Sequence, residues 1–194
     1  MKNILLVIAM LLFLANCKKN QPPVDIPDDP TDSIQNPIDT PIIELGKSFV
    51  LKNGVQWDVS LNAKYYRGDT LFILRGKILH PNLVSENFFI RDIPFKHGKY
   101  EIEFFPYLEG FNNAVPESAF TMMYEYDQPI GDFLVDTTRS DHFIELIRYD
   151  SVAKTVEGRF QVFLGKKPTN VPFPGVPDSI FMTEGRFHLK IEDP

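Results

Sequence analysis

The chain has 194 residues, with 26 Asp and Glu against 20 Lys and Arg, giving a net charge of −6 at neutral pH. That acidic balance argues against nucleic acid and anionic membrane surfaces as partners, since both need clustered cations. A single cysteine excludes an internal disulfide, and the length fits one domain of about 150 residues behind a leader.

Residues 1–17 read MKNILLVIAMLLFLANC. Lys2 supplies a positive charge, and the apolar run Ile4 to Ala15 follows. That run is shorter than the roughly 20 residues needed to span a bilayer, so it reads as a secretory signal. It ends Leu14-Ala15-Asn16-Cys17, which resembles the lipobox of bacterial lipoproteins. Asn16 departs from the small residue usual before the cysteine. The resemblance implies that the Cys17 thiol carries diacylglycerol, that residues 1–16 are removed, and that the new N-terminus is acylated, with palmitate-type chains. Loss of Lys2 would leave a mature charge of −7. Each buried CH₂ contributes roughly 0.8 kcal/mol, so more than one acyl chain anchors stably.

Residues 17–41 follow as a tether. From Lys18 to Pro41 they hold six prolines, five aspartates and no aromatic residue. Proline removes donors, and the apolar surface is too small to offset the entropy of ordering. A disordered, semi-extended spacer is expected, reaching roughly 70 Å at about 3.1 Å per residue. In Bacteroidota lipoproteins an acidic cluster directly after the cysteine marks surface export. Here Lys18 and Lys19 come first, and the acids begin at Asp25. The resemblance therefore implies the periplasmic face of the outer membrane, with the cell surface as the alternative.

Residues 42–194 form one expected domain, and their apolar period is two almost throughout. "SFVLK" is the first strand. Asn53-Gly54 tolerates positive φ and suits a two-residue hairpin, which sets Val50 opposite Trp57. "VQWDVSLNA" then alternates, with Val55, Trp57, Val59, Leu61 and Ala63 expected inward. "TLFILRGKIL" (70–79) starts apolar on both faces and reads as central. "ENFFIRDI" (86–93) and "GKYEIEFF" (98–105) follow, the latter with Tyr100, Ile102 and Phe104 opposite Glu101 and Glu103. "SAFTMMYEYD" (118–127), "GDFLVDT" (131–137) and "DHFIELIRYD" (141–150) continue the meander. The last two strands share a tetrapeptide, at Glu157 in "EGRFQVFL" and at Glu184 in "EGRFHLKI". They read as neighbours, with Phe160, Val162, Leu164, Phe187, Leu189 and Ile191 inward, and with Gly158 and Gly185 allowing close approach.

About ten short strands predict an all-β fold, an antiparallel β-sandwich. A small closed lipocalin-like barrel around an apolar ligand is the alternative, although the Gly-x-Trp start of lipocalins is absent. Asn53-Gly54-Val55-Gln56-Trp57, Gly158-Arg159-Phe160 and Gly185-Arg186-Phe187 resemble motifs of small β-rich Bacteroidota lipoproteins of uncharacterised function. That resemblance implies a fold and a location, with no activity to carry over.

The chemistry-bearing residues are scattered. His80, His97, His142 and His188 lie in separate segments and lack metal-ligand spacing, and His142 and His188 are expected to face solvent. Ser140-Asp141-His142 holds the residue types of a triad, but consecutive residues cannot converge as one. Glu101 with Glu103, and Glu157 with Glu184, have the chemistry of paired carboxylates. Two loops are candidate binding elements. "YLEGFNNAVPES" (107–118) offers Tyr107, Phe111, Asn112 and Asn113, aromatics beside amides as a sugar site would need. "GKKPTNVPFPGVPDS" (165–179) is stiffened by prolines and offers Val171, Phe173 and Val176, as a contact surface or as a lid. No cofactor or metal is implied. The expectation is a lipid-anchored, non-enzymatic envelope protein that binds a protein partner or ligand through loops at the sandwich end. A carbohydrate-binding or glycan-processing lipoprotein is the second reading.

Overall fold

A computed structural model describes residues 43–66, 70–104, 115–125, 127–168 and 173–193. All of them belong to the second of the two units into which the chain divides, Pro41–Pro194. They hold eleven strands and no helix. In chain order these are β1 (Lys47–Lys52), β2 (Val55–Gln56), β3 (Leu61–Tyr66), β4 (Leu71–Leu79), β5 (Val84–Pro94), β6 (Gly98–Glu101), β7 (Glu117–Tyr124), β8 (Gln128–Val135), β9 (Phe143–Asp150), β10 (Thr155–Lys166) and β11 (Ser179–Glu192).

Their pairings make a β-sandwich. One layer runs β2-β1-β11-β10-β9-β6 and the other β3-β4-β5-β7-β8, each antiparallel throughout. Two corners join the layers into one hydrogen-bonded network. The end of β11 runs parallel to β3, with Ile191 opposite Ala63, and the end of β10 pairs with β8, with Leu164 opposite Val135. The interior is filled from both sides. Phe88 of β5 stacks on Phe160 of β10 at 5.6 Å, and Phe120 of β7 tilts against Trp57 at 5.8 Å. A layered core of this kind follows from strands whose alternate residues are aromatic or branched.

The first hairpin forms as its sequence dictates. Asn53 and Gly54 both take positive φ, +52° and +79°, the pair that a type I′ turn requires. The Trp57 amide donates to the Val50 carbonyl at 2.9 Å. The strand expected from Val55 to Ala63 is, however, broken. After Gln56 the chain turns, with the Val59 amide donating to the Trp57 carbonyl at 2.8 Å, and it resumes as β3 in the opposite layer. Crossing lets Trp57, Leu61 and Ala63 bury between the layers, as their alternation requires. Val55 shares their face but lies beyond the layer edge, so it is 71 % exposed instead of inward. Gly76 leaves room for the crossing, since a Cβ there would lie 2.8 Å from Leu61 and 3.2 Å from the Trp57 ring.

The repeated tetrapeptide pairs with itself. In the β10–β11 register Gly158 faces Phe187, Arg159 faces Arg186, and Phe160 faces Gly185. Each phenylalanine ring therefore lies over the glycine of the other strand. A Cβ on Gly158 would meet the Phe187 ring at 2.7 Å and press on the Glu145 carbonyl oxygen; one on Gly185 would meet the Phe160 ring at 2.6 Å. Glu145 offsets the facing arginines by binding Arg159 at 2.6 Å. Phe160, Val162, Leu164, Phe187, Leu189 and Ile191 are all buried, the inward set that the alternation calls for. Phe104 departs from its expected inward place, because the alternation of β6 ends at the buried Ile102 and leaves Phe104 exposed at the margin.

These contacts give a graded expectation. Gly158→Ala must displace backbone as well as a ring, so it should cost about 3 kcal/mol or more, at the top of the overpacking range. Gly165→Ala meets nothing within 4 Å and should change stability by less than about 0.5 kcal/mol. Urea unfolding of the two variants measures the contrast, and equal midpoints would contradict it.

Candidate functional site

Of the residues singled out in the sequence, Cys17, Tyr107, Phe111, Asn112, Asn113 and Val171 lie outside the described residues. Phe173 and Val176 are described, and both are packed. Phe173 lies against Tyr124 of β7 at 5.5 Å. Val176 rests on the core beside Gly131 of β8. The Val176 amide donates to the Phe173 carbonyl across a turn in which Gly175 takes φ +83°. Lys167 then ties the loop to β8 through the Asp132 carbonyl at 2.7 Å. These two side chains therefore sit as a lid would, over the ends of β7 and β8.

That loop shares one end of the sandwich with the Asn53-Gly54 hairpin and the His80–Leu83 turn. The end is built on an inward carboxylate. Glu86 alternates with Phe88 and Ile90 along β5, so its side chain points between the layers, and it is only 5 % exposed. A buried carboxylate must be paired. Lys52 of β1 donates to Oε1 at 2.6 Å and also to Oε2, and the Trp57 indole donates to Oε2 at 2.7 Å. The Lys52 ammonium also lies over the Trp57 and Phe120 rings, at 5.8 and 5.6 Å. His80 Nε2 lies 3.3 Å from Glu86 Oε1 but makes no hydrogen bond. The Lys52–Glu86–Trp57 cluster thus ties β1 to β5 across the open end, beside the His80–Leu83 turn.

The clamp holds apolar side chains in solvent. Leu83 takes φ +65°, a region that costs a branched residue roughly 1–2 kcal/mol, and it is 40 % exposed. Its carbonyl accepts from the Glu125 amide at 3.1 Å, and Glu125 is itself at φ +49°. Phe181 is held as firmly. Asn53 accepts from its amide at 2.7 Å, and the Asn53 amide donates to its carbonyl at 2.8 Å. Backbone strain at Leu83 and Glu125 thus lies at the same end as the exposed Leu83 and Phe181. Sequence reading passed over Glu86, yet its signal was legible as one acid at an inward position of a strand with Phe88 and Ile90.

The flank where β6, β8 and β9 meet holds the Ser140-Asp141-His142 stretch. His142 is not at the surface as expected but is 4 % exposed. It precedes β9, and the Phe163 ring (centroid 5.8 Å away) packs over it. Its Nδ1 accepts from the Phe163 amide at 3.2 Å. Nε2 therefore carries the proton and donates to the Asp136 carbonyl at 2.9 Å. Both ring nitrogens are used structurally, which leaves no base for a nucleophile. Arg139 lies over the Phe163 face at 3.6 Å and grips Asp141 through two hydrogen bonds of 3.1 and 3.0 Å. Asp136 accepts from the Thr138 hydroxyl at 2.7 Å and from its amide at 3.0 Å.

Glu101 and Glu103 edge two shallow depressions here, of about 290 and 330 Å³. They stand side by side on one strand edge, on the same side of the buried Ile102, rather than across a cleft. Glu157 and Glu184 are not brought together either. Glu157 faces His188, whereas Glu184 sits in the irregularity beyond Gly185 at φ +52°. His188 is half-buried, near the Ile43 carbonyl at 3.2 Å. Among the described residues no group of three His, Cys, Asp or Glu could hold a metal ion. Comparison with protein-family models, with curated proteins and with solved structures returns no match to this chain.

The flank loop carries a pH dependence. The hydrogen bond from the Thr138 hydroxyl, with that from its amide, holds the Asp136 carboxyl below the ordinary aspartate range. The hydrogen bond from Arg139 does the same for Asp141. A lowered folded pKa contributes stability above the ordinary aspartate value, and that stability is lost as pH falls through the folded value. Carboxyl NMR titration should therefore place both midpoints below those of an unstructured aspartate. Thr138→Ala should move Asp136 part of the way back and leave Asp141 in place; an unmoved Asp136 would contradict the assignment.

Proposed function

We propose that this chain is a lipid-anchored bacterial envelope protein, acting by binding and not by catalysis, whose sandwich engages a protein partner through its hairpin end. The reading of an anchor rests on the apolar leader that ends at Cys17 and on the proline- and aspartate-rich segment behind it. Its placement on the periplasmic face of the outer membrane rests on Lys18 and Lys19 directly after the cysteine.

The observation that carries the binding reading is the Glu86 clamp. A buried ion pair rarely adds net stability over an apolar packing of the same volume. Its use here is to tie β1 to β5, beside the turns that bear Val55 and Leu83. Apolar groups fixed before binding lose little entropy on contact, which is how a small surface gains affinity. The described carboxylates at the flank are held by hydrogen bonds or stand on one strand edge, an arrangement that suits a surface better than an acid–base pair.

A photo-crosslinking amino acid placed in cells at position 55, 83 or 190 tests this. Lys190 is exposed near the opposite end. Discrete adducts from 55 and 83, with none from 190, are expected. Cys17→Ala should shift the chain to the soluble fraction. Adducts only from 190 would contradict the binding surface, and membrane retention of Cys17→Ala would contradict the anchor.

A further inference from the structure

Asn53-Gly54 is the one Asn-Gly pair in the sequence, and both residues are exposed. In such a pair the glycine nitrogen is a nucleophile with no side chain to shield it, which is one reason asparagine is heat-labile. Attack of that nitrogen on the side-chain carbonyl carbon closes a five-membered succinimide. The bond from nitrogen to Cγ forms and the bond from Cγ to Nδ2 breaks. Nδ2 leaves as ammonia with the proton of the glycine amide. Water then opens the ring at either carbonyl, giving aspartate or isoaspartate. No co-reactant other than water is needed.

The fold restrains this chemistry in two ways. The first is the backbone, with Asn53 at φ +52° and Gly54 at φ +79°. In the left-handed region ψ is near about +47°, which turns the Gly54 nitrogen to the far side of Cα from the Asn53 side chain. The second is the carboxamide, which is held at both its polar atoms. Oδ1 accepts from the Phe181 amide at 2.7 Å, and Nδ2 donates to the Ser179 carbonyl at 3.4 Å. The Asn53 amide also donates to the Phe181 carbonyl at 2.8 Å, so backbone and side chain are tied to β11 together. Attack requires ψ to swing round and the carboxamide to leave β11. Both happen when the hairpin tip lifts, a local opening that costs less than global unfolding.

We propose that Asn53-Gly54 is a self-modification site controlled by the hairpin. It is closed while the carboxamide is bound to β11, and it converts to aspartate or isoaspartate when the tip opens. Conversion is one-way, because ammonia is lost. Aspartate lacks the Nδ2 donor and sets a carboxylate oxygen toward the Ser179 carbonyl oxygen, in place of the hydrogen bond now there. Isoaspartate also routes the main chain through Cβ and Cγ. That lengthens a two-residue turn whose register sets Lys52 opposite Val55. The reaction therefore ends in a hairpin that does not reclose in its original register. The proposal does not rest on a partner binding at this end, since its readout is the chemical linkage at residue 53.

Timed incubation of the full chain in detergent, at neutral pH and physiological temperature, tests the proposal. Mass spectrometry of the peptide holding Asn53 follows the conversion, and enzymatic methylation detects isoaspartate. The native chain should convert at least tenfold more slowly than the chain unfolded in urea, because only its open fraction reacts. Asn53→Gln should give no product at this position on the same time scale. In urea below the unfolding transition, the rate should rise in step with hydrogen exchange of the Phe181 amide, the donor that holds Oδ1. Equal rates in the native and unfolded chains would overturn the proposal. So would an unfolded chain that does not convert, or a native rate that stays flat while Phe181 exchange quickens.

Discussion

The close contact between β10 and β11 is the constraint on which the sandwich depends. These are the two longest strands, and each belongs to both layers by its end. They pair directly over nearly their whole length, and at the centre Gly158 and Gly185 make room for Phe187 and Phe160. With a side chain at either glycine the rings would have to leave the interior, and Phe160 would lose its stack on Phe88 across the layers. Two glycines in strand interiors are unfavourable by propensity. Here each is set by the ring opposite it, which explains why the tetrapeptide occurs twice.

From that spine the two ends and faces acquire different characters. At the hairpin end the interior finishes in charge instead of hydrocarbon, and the Lys52–Glu86–Trp57 cluster ties β1 to β5 beneath the turns. At the flank, His142 and Asp136 anchor a loop against β10, and the ionisable groups serve the backbone. On the outer face of the second layer Arg75 and Lys77 are exposed and have no ion-pair partner among the described residues, whereas Lys64 and Arg91 are paired. A small fold of this type separates its tasks by surface. Packing and clamps rigidify one region, and exposed charge or apolar area is left available in another.

Much of the architecture was legible because period-two alternation reports directly which face a residue joins. The β1–β2 turn was readable from Asn53-Gly54, and the pairing of the last two strands from their shared tetrapeptide. Alternation does not report where a strand changes layer. The break after Gln56 is set by Trp57 turning inward over Gly76, a contact 19 residues away in sequence. His142 was misplaced because the inward face of β9 was read one residue off. It shares the parity of Ile144 and Leu146, the fully buried residues of that strand, and the Phe163 ring packs beside it. The cationic face stayed hidden because net charge averages over surfaces. Only the register of β3, β4 and β5 gathers Asn62, Arg75, Lys77 and Asn87 into one place.

The central claim is that each phenylalanine of the repeat requires the glycine opposite it. A double-mutant cycle on Gly185 and Phe160 tests this most directly, because a Cβ on Gly185 meets the Phe160 ring first. Unfolding free energies would be measured for Gly185→Ala, Phe160→Leu and the pair. The smaller Leu side chain should absorb the new methyl, so the two changes should couple by at least about 1 kcal/mol, with the pair more stable than the sum of the singles. Additivity within about 0.5 kcal/mol would mean that ring and glycine act independently, and the account of the spine would be wrong.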